Sequence, residues 1–222
     1  MRGWTAPDEG VLFVITGPSG VGKSTMIHAL MAEVPGLEFS ASATTRAPRA
    51  GEVDGVDYHF LDQDTFDRRV DAGAFLEHAR VYDRSYGTLR APVEQALRAG
   101  RSVILDIDLQ GARQVRQSWP GAVHLMILPP RIAALEERLR ARATDSEQVI
   151  LRRMRQVEGQ LAGVGEYDYL VVNDDLATAT GVLRGVVLAE LSRRSRRGSL
   201  VDAVLSELDP RKRAVAAPSG QG

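Results

Sequence analysis

The residue pattern with the clearest chemistry is a glycine-rich stretch that leads into Lys23 and Ser24. It fits the spacing G-x-x-x-x-G-K-[ST], in which backbone N–H groups surround a polyphosphate, the lysine reaches the outer phosphates and the hydroxyl reaches Mg²⁺. Glycine is needed in such a loop because a side chain would block the approach of the phosphates. The residues predicted to bind the polyphosphate are Gly17, Pro18, Ser19, Gly20, Val21, Gly22, Lys23, Ser24 and Thr25.

The elements on either side of this loop have the types that a phosphate site needs. The apolar run at residues 11–15 is typical of a buried parallel strand, and apolar residues at helical spacing follow until Pro35-Gly36. A helix that begins at the loop aims its N-terminal N–H groups at the anion. The alternative, a glycine-rich turn beside a surface lysine, is disfavoured by this strand–loop–helix order.

The rest of the chain indicates an α/β fold. Apolar strands near residues 11, 102, 122 and 168 alternate with helices, which predicts a doubly wound parallel sheet of the P-loop NTPase type with helices on both faces. The short strands between these elements predict a small α+β insert, mostly antiparallel. The predicted domains are a core at 1–36 and 91–195 with a helical lid at about 138–153, an insert at 37–90 and a flexible tail at 196–222.

Composition excludes several classes of function. The 222 residues include no cysteine, so disulfides and thiolate metal sites are excluded, and the net charge of −1 argues against a general nucleic-acid binder. No apolar run approaches the ~20 residues of a membrane span, and no secretory signal is visible, so a cytoplasmic protein is expected. The histidines show no ligand spacing and are predicted to be structural: His28, His59, His78 and His124.

A second anion site is predicted inside the insert. Arg46 and Arg49 lie three residues apart on a loop with Pro48, and Tyr58 follows nine residues later. Two guanidinium groups and a phenol can converge on one phosphate, because arginine binds tetrahedral oxyanions in bidentate fashion. Taken alone, such a pair of arginines more often lies on a solvated loop.

Residues 40–60 bring a family resemblance. The pattern S-x-S-x-TTR-x-PR-x-GE-x-x-G-x-DY-x-F closely resembles the acceptor-nucleotide signature of guanylate kinases. The resemblance extends over roughly residues 10–190, where further motifs occur in the same order: Phe75-Leu76-Glu77, Tyr86-Gly87-Thr88, Ile104-Leu105-Asp106-Ile107-Asp108-x-Gln110-Gly111 and Val172-Asn173-Asp174-Asp175.

The resemblance implies two nucleotide sites. ATP is expected at the glycine loop, with Asn173 at its adenine, and GMP is expected in the insert. The implied GMP-binding residues are Arg46, Arg49 and Tyr58 for the phosphate, Ser42, Glu77 and Thr88 for the base, Glu52 and Tyr86 from the signature motifs, and Asp108 near the acceptor phosphate. Guanine offers donors at N1 and N2 and an acceptor at O6, so one carboxylate and two hydroxyls match its edge. An exposed strand carboxylate is the alternative for Glu77.

Two aspartates follow the apolar strand near residue 102. Asp106 stands where an acidic residue would hold the hydration shell of Mg²⁺, and Ser24 would bind the ion directly. Asp108 points to the same face by strand alternation. For Asp108, a helix N-cap is a plausible alternative.

Arginines are frequent in the predicted lid. The resemblance implies that Arg138, Arg142 and Arg153 close on the transferred phosphate, although Ala143 stands where the family usually has glycine. Arg131, Arg140, Arg152 and Arg155 are interpreted as parts of salt-bridged helix faces. The basic run at Arg193, Arg194, Arg196 and Arg197 is expected to be solvated, with an RNA or membrane contact as the alternative.

The function predicted from these patterns is that of a guanylate kinase, with reversible Mg²⁺-dependent transfer of phosphate from ATP to GMP. The expected partners are these two substrates, without nucleic acid or membrane. The residues expected to act on the reacting phosphates are Lys23, Arg46, Arg138, Arg142 and Arg153. The alternatives are a non-catalytic guanylate-kinase-like interaction module and a P-loop kinase of another nucleoside monophosphate.

Overall fold

The computed structural model describes residues 7–81, 83–141 and 147–208. Within these ranges, only the backbone is described at positions 81, 138, 139, 141, 149, 151–153 and 156. The helices are α1 (Lys23–Glu33), α2 (Gln63–Asp71), α3 (Arg90–Arg98), α4 (Leu109–Ser118), α5 (Ile132–Ala141), α6 (Glu147–Leu161), α7 (Leu176–Leu191) and α8 (Gly198–Ser206).

A five-stranded parallel sheet organises the core. Its order is β2-β7-β1-β8-β9, formed by β1 (Leu12–Thr16), β2 (Leu37–Phe39), β7 (Ser102–Asp106), β8 (Val123–Leu128) and β9 (Tyr169–Val172). Alternation along β1 sends Phe13 and Ile15 into a cluster with α1 and α7, and Leu12 and Val14 into a cluster with α3 and α4. Helices therefore cover both faces, which confirms the predicted fold class.

The insert forms a second sheet of four strands with α2 against it. Its order is β4-β3-β6-β5, formed by β3 (Ser42–Thr44), β4 (Tyr58–Phe60), β5 (Phe75–Val81) and β6 (Arg84–Leu89). The pairs β3–β6 and β5–β6 are antiparallel and β3–β4 is parallel. A small apolar cluster of Ala43, Phe66 and Phe75 joins the sheet to α2, whose N-terminus is capped by Asp62.

Two predicted boundaries need correction. Leu37–Phe39 pairs with β7 in the central sheet, so the insert starts after Phe39 and not at residue 37. Three residues are too few to show a strand period, which explains why the sequence did not reveal this edge strand. The predicted tail also begins with structure, because α8 occupies Gly198–Ser206. The remainder of the predicted tail, from residue 209, lies outside the described residues.

The basic run before α8 is not simply solvated. Glu190 is 1% exposed, and its carboxylate pairs with Arg193 at 2.7 Å and with Arg196 at 3.2 Å. The hydroxyl of Tyr169 donates to the same carboxylate. A buried carboxylate requires such partners, so these two arginines stabilise the end of α7. The prediction of a solvated run is wrong for Arg196, whose side chain is 23% exposed, whereas the side chain of Arg193 is paired but still 58% exposed.

No helix in the described part of the chain is long and apolar enough to cross a membrane. Within the same ranges, no three or more histidine and acidic side chains form a group that could hold a metal ion. His124 is buried in β8, and burial lowers the pKa of its imidazole to about 4, with Arg116 adding to the shift. Its neutral ring therefore belongs to the packing of the sheet.

Candidate active site

The glycine loop connects the end of β1 to the start of α1. Gly17 and Gly22 have φ angles of 151° and 99°, in the region that favours glycine. A Cβ at Gly17 would lie 2.5 Å from the carbonyl oxygen of Ile127, and one at Gly22 would lie 2.5 Å from Nδ2 of Asn173. Both glycines are therefore required by backbone angle and by space, as predicted from the motif.

Lys23 and Asp106 meet beside this loop. The Lys23 ammonium lies 3.0 Å from Oδ1 of Asp106, with side chains only 18% and 20% exposed. It also donates to the carbonyl of Gly17 at 3.5 Å. Ser24 and Thr25, in the first turn of α1, are exposed. The loop, its ammonium, a carboxylate and a helix N-terminus thus converge on one place.

Asn173 holds the glycine loop through a hydrogen bond to its backbone. Its buried amide donates to the carbonyl of Val21 at 2.7 Å, across 152 residues of sequence. This bond fixes the middle of the glycine loop, a role that sequence analysis did not assign. The contact of Asn173 with adenine stays a prediction.

The strand register of the insert gathers its predicted binding residues. Ser42 pairs with Tyr58, Thr44 with Tyr86, and Glu77 with Thr88. Paired residues share a face of the sheet, and every second residue along a strand lies on the same face. One face of this sheet therefore carries five of the predicted binding residues: Ser42, Tyr58, Glu77, Tyr86 and Thr88.

Glu77 and Thr88 form a buried polar pair on that face. They are 6% and 1% exposed, and the Thr88 hydroxyl donates to Oε1 of Glu77 at 2.7 Å. Burial raises the pKa of the Glu77 carboxyl to about 6, the hydrogen bond from Thr88 opposes the rise, and the nearby Asp108 adds to it. The exposed alternative for Glu77 is therefore wrong. A buried acid with a raised pKa is typical of a binding site.

The predicted phosphate arginines lie on the loop between β3 and β4. Nη2 of Arg46 lies 2.7 Å from Oε1 of Glu52, and the backbone N–H of Arg49 donates to Oε2 at 2.7 Å. The Arg46 guanidinium holds the pKa of Glu52 below its usual value, with help from the Arg49 N–H. The guanidinium also lies 5.1 Å from the ring centroid of Tyr58. Glu52 and Tyr58 thus orient Arg46 before any anion binds.

Asp108 lies between the two predicted sites. It is the N-cap of α4, where Oδ1 accepts from the N–H of Gly111 at 2.9 Å, so the alternative role is real. It also lies close enough to Glu77 to raise that pKa. Since Asp106, the last residue of β7, pairs with Lys23, the short stretch 106–108 lies near both predicted sites.

The predicted lid arginines are the least described part of the site. Arg142 lies outside the described residues, and Arg138 on α5 and Arg153 on α6 are described only in their backbone. The interpretation of Arg140 is confirmed, because it pairs with Glu136 at 2.9 Å and with Glu147 at 2.7 Å, joining α5 to α6. The roles of the three lid arginines stay predictions.

A parallel sheet whose first strand leads into a phosphate loop defines the class of this protein as P-loop NTPase-type. A family model described as guanylate kinase matches residues 9–190. The chain is 47% identical to the guanylate kinase of Symbiobacterium thermophilum, over 90% of this chain and 94% of the other. It is 46% identical to that of Idiomarina loihiensis, over 91% and 98%.

A solved structure agrees with these matches. The crystal structure of guanylate kinase from Anaplasma phagocytophilum superposes with a TM-score of 0.69 at 30% identity, covering 86% of this chain and 92% of the other. The chain belongs to the guanylate kinase family. The predicted guanylate kinase function is confirmed, the protein is a nucleoside monophosphate kinase, and the alternatives are not favoured.

Proposed function

We propose that the protein transfers the γ-phosphate of ATP to GMP, reversibly and with Mg²⁺, giving ADP and GDP. The observation that carries this proposal is the short stretch from the end of β7 to the start of α4. Asp106, the last residue of β7, pairs with Lys23 at the glycine loop, and Asp108 caps α4 at Gly111, whose backbone lies against the Glu77 carboxylate of the insert. A donor nucleotide on the loop and an acceptor on the insert would therefore approach each other across this segment.

The acceptor face fits guanine better than other bases. The Glu77 carboxylate can accept from N1–H and N2–H, and the Ser42 hydroxyl can donate to O6. The Thr88 hydroxyl donates to Oε1 of Glu77 in the structure, so it would donate to O6 only after turning away from that oxygen. Adenine lacks the N2 amine and has an acceptor at N1, so the carboxylate would face a lone pair. Buried polar groups left unpaired by the wrong base discriminate by up to about 10⁴-fold.

The oxygen donors beside the glycine loop fit Mg²⁺. This ion prefers carboxylate, hydroxyl, water and phosphate oxygens, and Ser24 would hold it directly while Asp106 would hold its hydration shell. When bound, it neutralises charge on the phosphates of ATP. Lys23 and Asp106 are paired in the structure, so we infer that the ammonium turns toward the phosphates when ATP arrives.

We infer that the chain acts by alignment and charge neutralisation. The second pKa of a phosphate monoester is about 6, so the attacking oxygen of GMP is already ionised at neutral pH and no general base is required. Arg46, Arg49 and Tyr58 would hold the acceptor phosphate, and Lys23 would hold the transferring group. The lid arginines Arg138, Arg142 and Arg153 would close over it and exclude water.

A substrate panel tests this proposal. With Mg²⁺-ATP as donor, GMP is expected to exceed AMP, CMP and UMP by at least about 10²-fold in kcat/KM, since each wrong base leaves buried groups unpaired. ADP release in a coupled assay measures the four rates. A preference for AMP, CMP or UMP would contradict the base assignment, and the absence of turnover with any of them would favour the interaction module.

The Arg46–Glu52 pair gives a second prediction. Replacing Glu52 with alanine is expected to raise KM for GMP about tenfold and to leave KM for ATP unchanged, because Arg46 loses the charge-assisted bond that orients it. Initial rates at varied GMP and at varied ATP measure the two constants.

Asp83 provides a matched control for this change. It is an exposed acid on the turn between β5 and β6, so Asp83→Ala makes the same change in charge without touching Arg46. A double-mutant cycle with Arg46→Ala should show that the two losses do not add. A lower KM for GMP in Glu52→Ala would show instead that Glu52 competes with the substrate phosphate.

The cytoplasmic location and the division into core, insert and lid also stay predictions. We infer that the insert and the lid move toward the glycine loop when both nucleotides bind, because water must be excluded from the transferring phosphate.

A further inference from the structure

One face of α4 contacts the strand that carries Glu77. Gly111, Gln114 and Ser118 follow one another at helical spacing along α4, and each lies against β5 of the insert. We propose that this face, the α4 seam (Gly111, Gln114 and Ser118), positions the Glu77 carboxylate and thereby sets selectivity for the 2-amino group of the purine. The inference rests on the proposed use of GMP.

Two members of the α4 seam bind the backbone on either side of Glu77. The side-chain amide of Gln114 donates to the carbonyl of His78 at 2.9 Å and accepts from the N–H of His78 at 3.0 Å. The Ser118 hydroxyl donates to the carbonyl of Leu76 at 2.9 Å. β5 is an edge strand of this sheet, and among the described residues no strand pairs with its outer backbone groups, so these three bonds replace a neighbouring strand.

Gly111 makes room for the carboxylate itself. A Cβ at this position would lie 2.8 Å from Oε2 of Glu77 and 3.2 Å from its Cδ. Gly111 belongs to the first turn of α4, and its N–H is bonded to Asp108, so the residue is helical and its missing side chain is the feature that matters. The Glu77 carboxylate is thus held by Thr88 on one oxygen and against bare helix backbone on the other.

Because of this packing, a substitution at position 111 can change the place of the carboxylate without lowering the stability of the fold. The two nearest atoms that a methyl group would meet are at the end of the Glu77 side chain, which can move without disturbing the backbone, and the next, Cβ of Ile107 at 3.4 Å, is at ordinary contact distance. Alanine is also a better helix former than glycine. Gly111→Ala is therefore expected to keep or improve folding while it displaces the carboxylate.

The test compares GMP with inosine monophosphate, which keeps O6 and N1–H but lacks the 2-amino group. In Gly111→Ala, the ratio of kcat/KM for GMP to that for inosine monophosphate is expected to fall about 10- to 100-fold, the loss of one hydrogen bond to a charged group. KM for ATP is expected to change less than twofold. A merely structural role for Gly111 would lower both acceptor rates together and leave their ratio unchanged.

Gly181 supplies the matched control. It is an exposed glycine in the middle of α7, and a Cβ there would meet nothing within 4 Å. Gly181→Ala should raise the melting temperature and leave both acceptor rates unchanged. If the ratio of kcat/KM for GMP to that for inosine monophosphate is the same in Gly111→Ala as in Gly181→Ala, the proposal is overturned.

A second variant keeps the test valid if Gly111→Ala does not fold. Gln114→Ala removes two bonds to His78 and inserts nothing, and it is expected to lower the same ratio at least threefold with KM for ATP unchanged. If both the ratio and KM for GMP stay at wild-type values in the folded variants, the α4 seam has no role in selectivity. If the wild-type enzyme itself does not phosphorylate GMP, the proposed function fails and this inference with it.

Discussion

Replacing Lys23 with alanine is expected to lower kcat for GMP phosphorylation by about 10³-fold, the cost of removing one preorganised cationic donor from a reacting phosphate. The ammonium belongs to the glycine loop, where it lies within reach of Asp106 and the Gly17 carbonyl. The fold should survive, since the apolar clusters on both faces of the sheet are untouched. Steady-state rates and a melting curve measure the two effects.

Lys23→Arg is the matched variant for this prediction. It retains the positive charge but replaces a compact ammonium with a planar fork, so it should recover little of the lost rate. A rate within tenfold of wild type for Lys23→Ala, at saturating ATP and with intact folding, would remove Lys23 from the phosphate site.

Replacing Glu77 with glutamine is expected to lower kcat/KM for GMP by about 10²-fold and leave KM for ATP unchanged. Glutamine can still accept from one donor of guanine, but its NH₂ group would face the second donor, and the charge-assisted part of both bonds is lost. Initial rates with varied GMP measure the loss. Unchanged kinetics with GMP would remove Glu77 from the pocket.

The same variant is expected to be more stable than wild type at neutral pH. Burial raises the folded-state pKa of Glu77 from 4.5 to about 6, so the folded protein holds this proton more tightly than the unfolded chain. The contribution to stability is therefore full below pH 4.5 and is lost as the pH rises through 6. The loss amounts to about 2 kcal/mol at pH 7.5, and Glu77→Gln avoids it.

Urea unfolding at two pH values checks this prediction. Glu77→Gln should exceed wild type by about 2 kcal/mol at pH 7.5 and by much less at pH 4.5. Glu9→Gln makes the same chemical change at an exposed position and should show no such difference. A stability advantage that does not depend on pH would contradict the ionised, buried carboxylate.

The sequence predicted those parts of the molecule whose signals are local. The glycine loop is recognised by the fixed spacing of its motif. The strands β1, β7 and β8 are continuous apolar runs because helices cover both of their faces. The predicted pocket residues Ser42, Tyr58 and Glu77 do share a face, which follows from strand alternation once the register is known.

Features that depend on distant partners could not be predicted. Arg193 and Arg196 look like a solvated run because the buried partner Glu190 is only revealed when α7 packs on the core. The bonds of Gln114 to His78 join residues 36 positions apart, one on α4 and the other on β5. No periodicity in the sequence indicates such a pair. Asn173 likewise reaches the glycine loop only through the order of the strands.

The place of the insert in the chain has a consequence for folding kinetics. β1 and β7 are neighbours in the central sheet although they lie far apart in the sequence. The hydroxyl of Ser102, for example, accepts from the N–H of Val11 across 91 residues. Closing so long a loop is entropically costly, and non-local pairing of this kind slows folding. We therefore expect the insert, whose contacts are more local, to become compact first and to shorten the search by which the two strands meet.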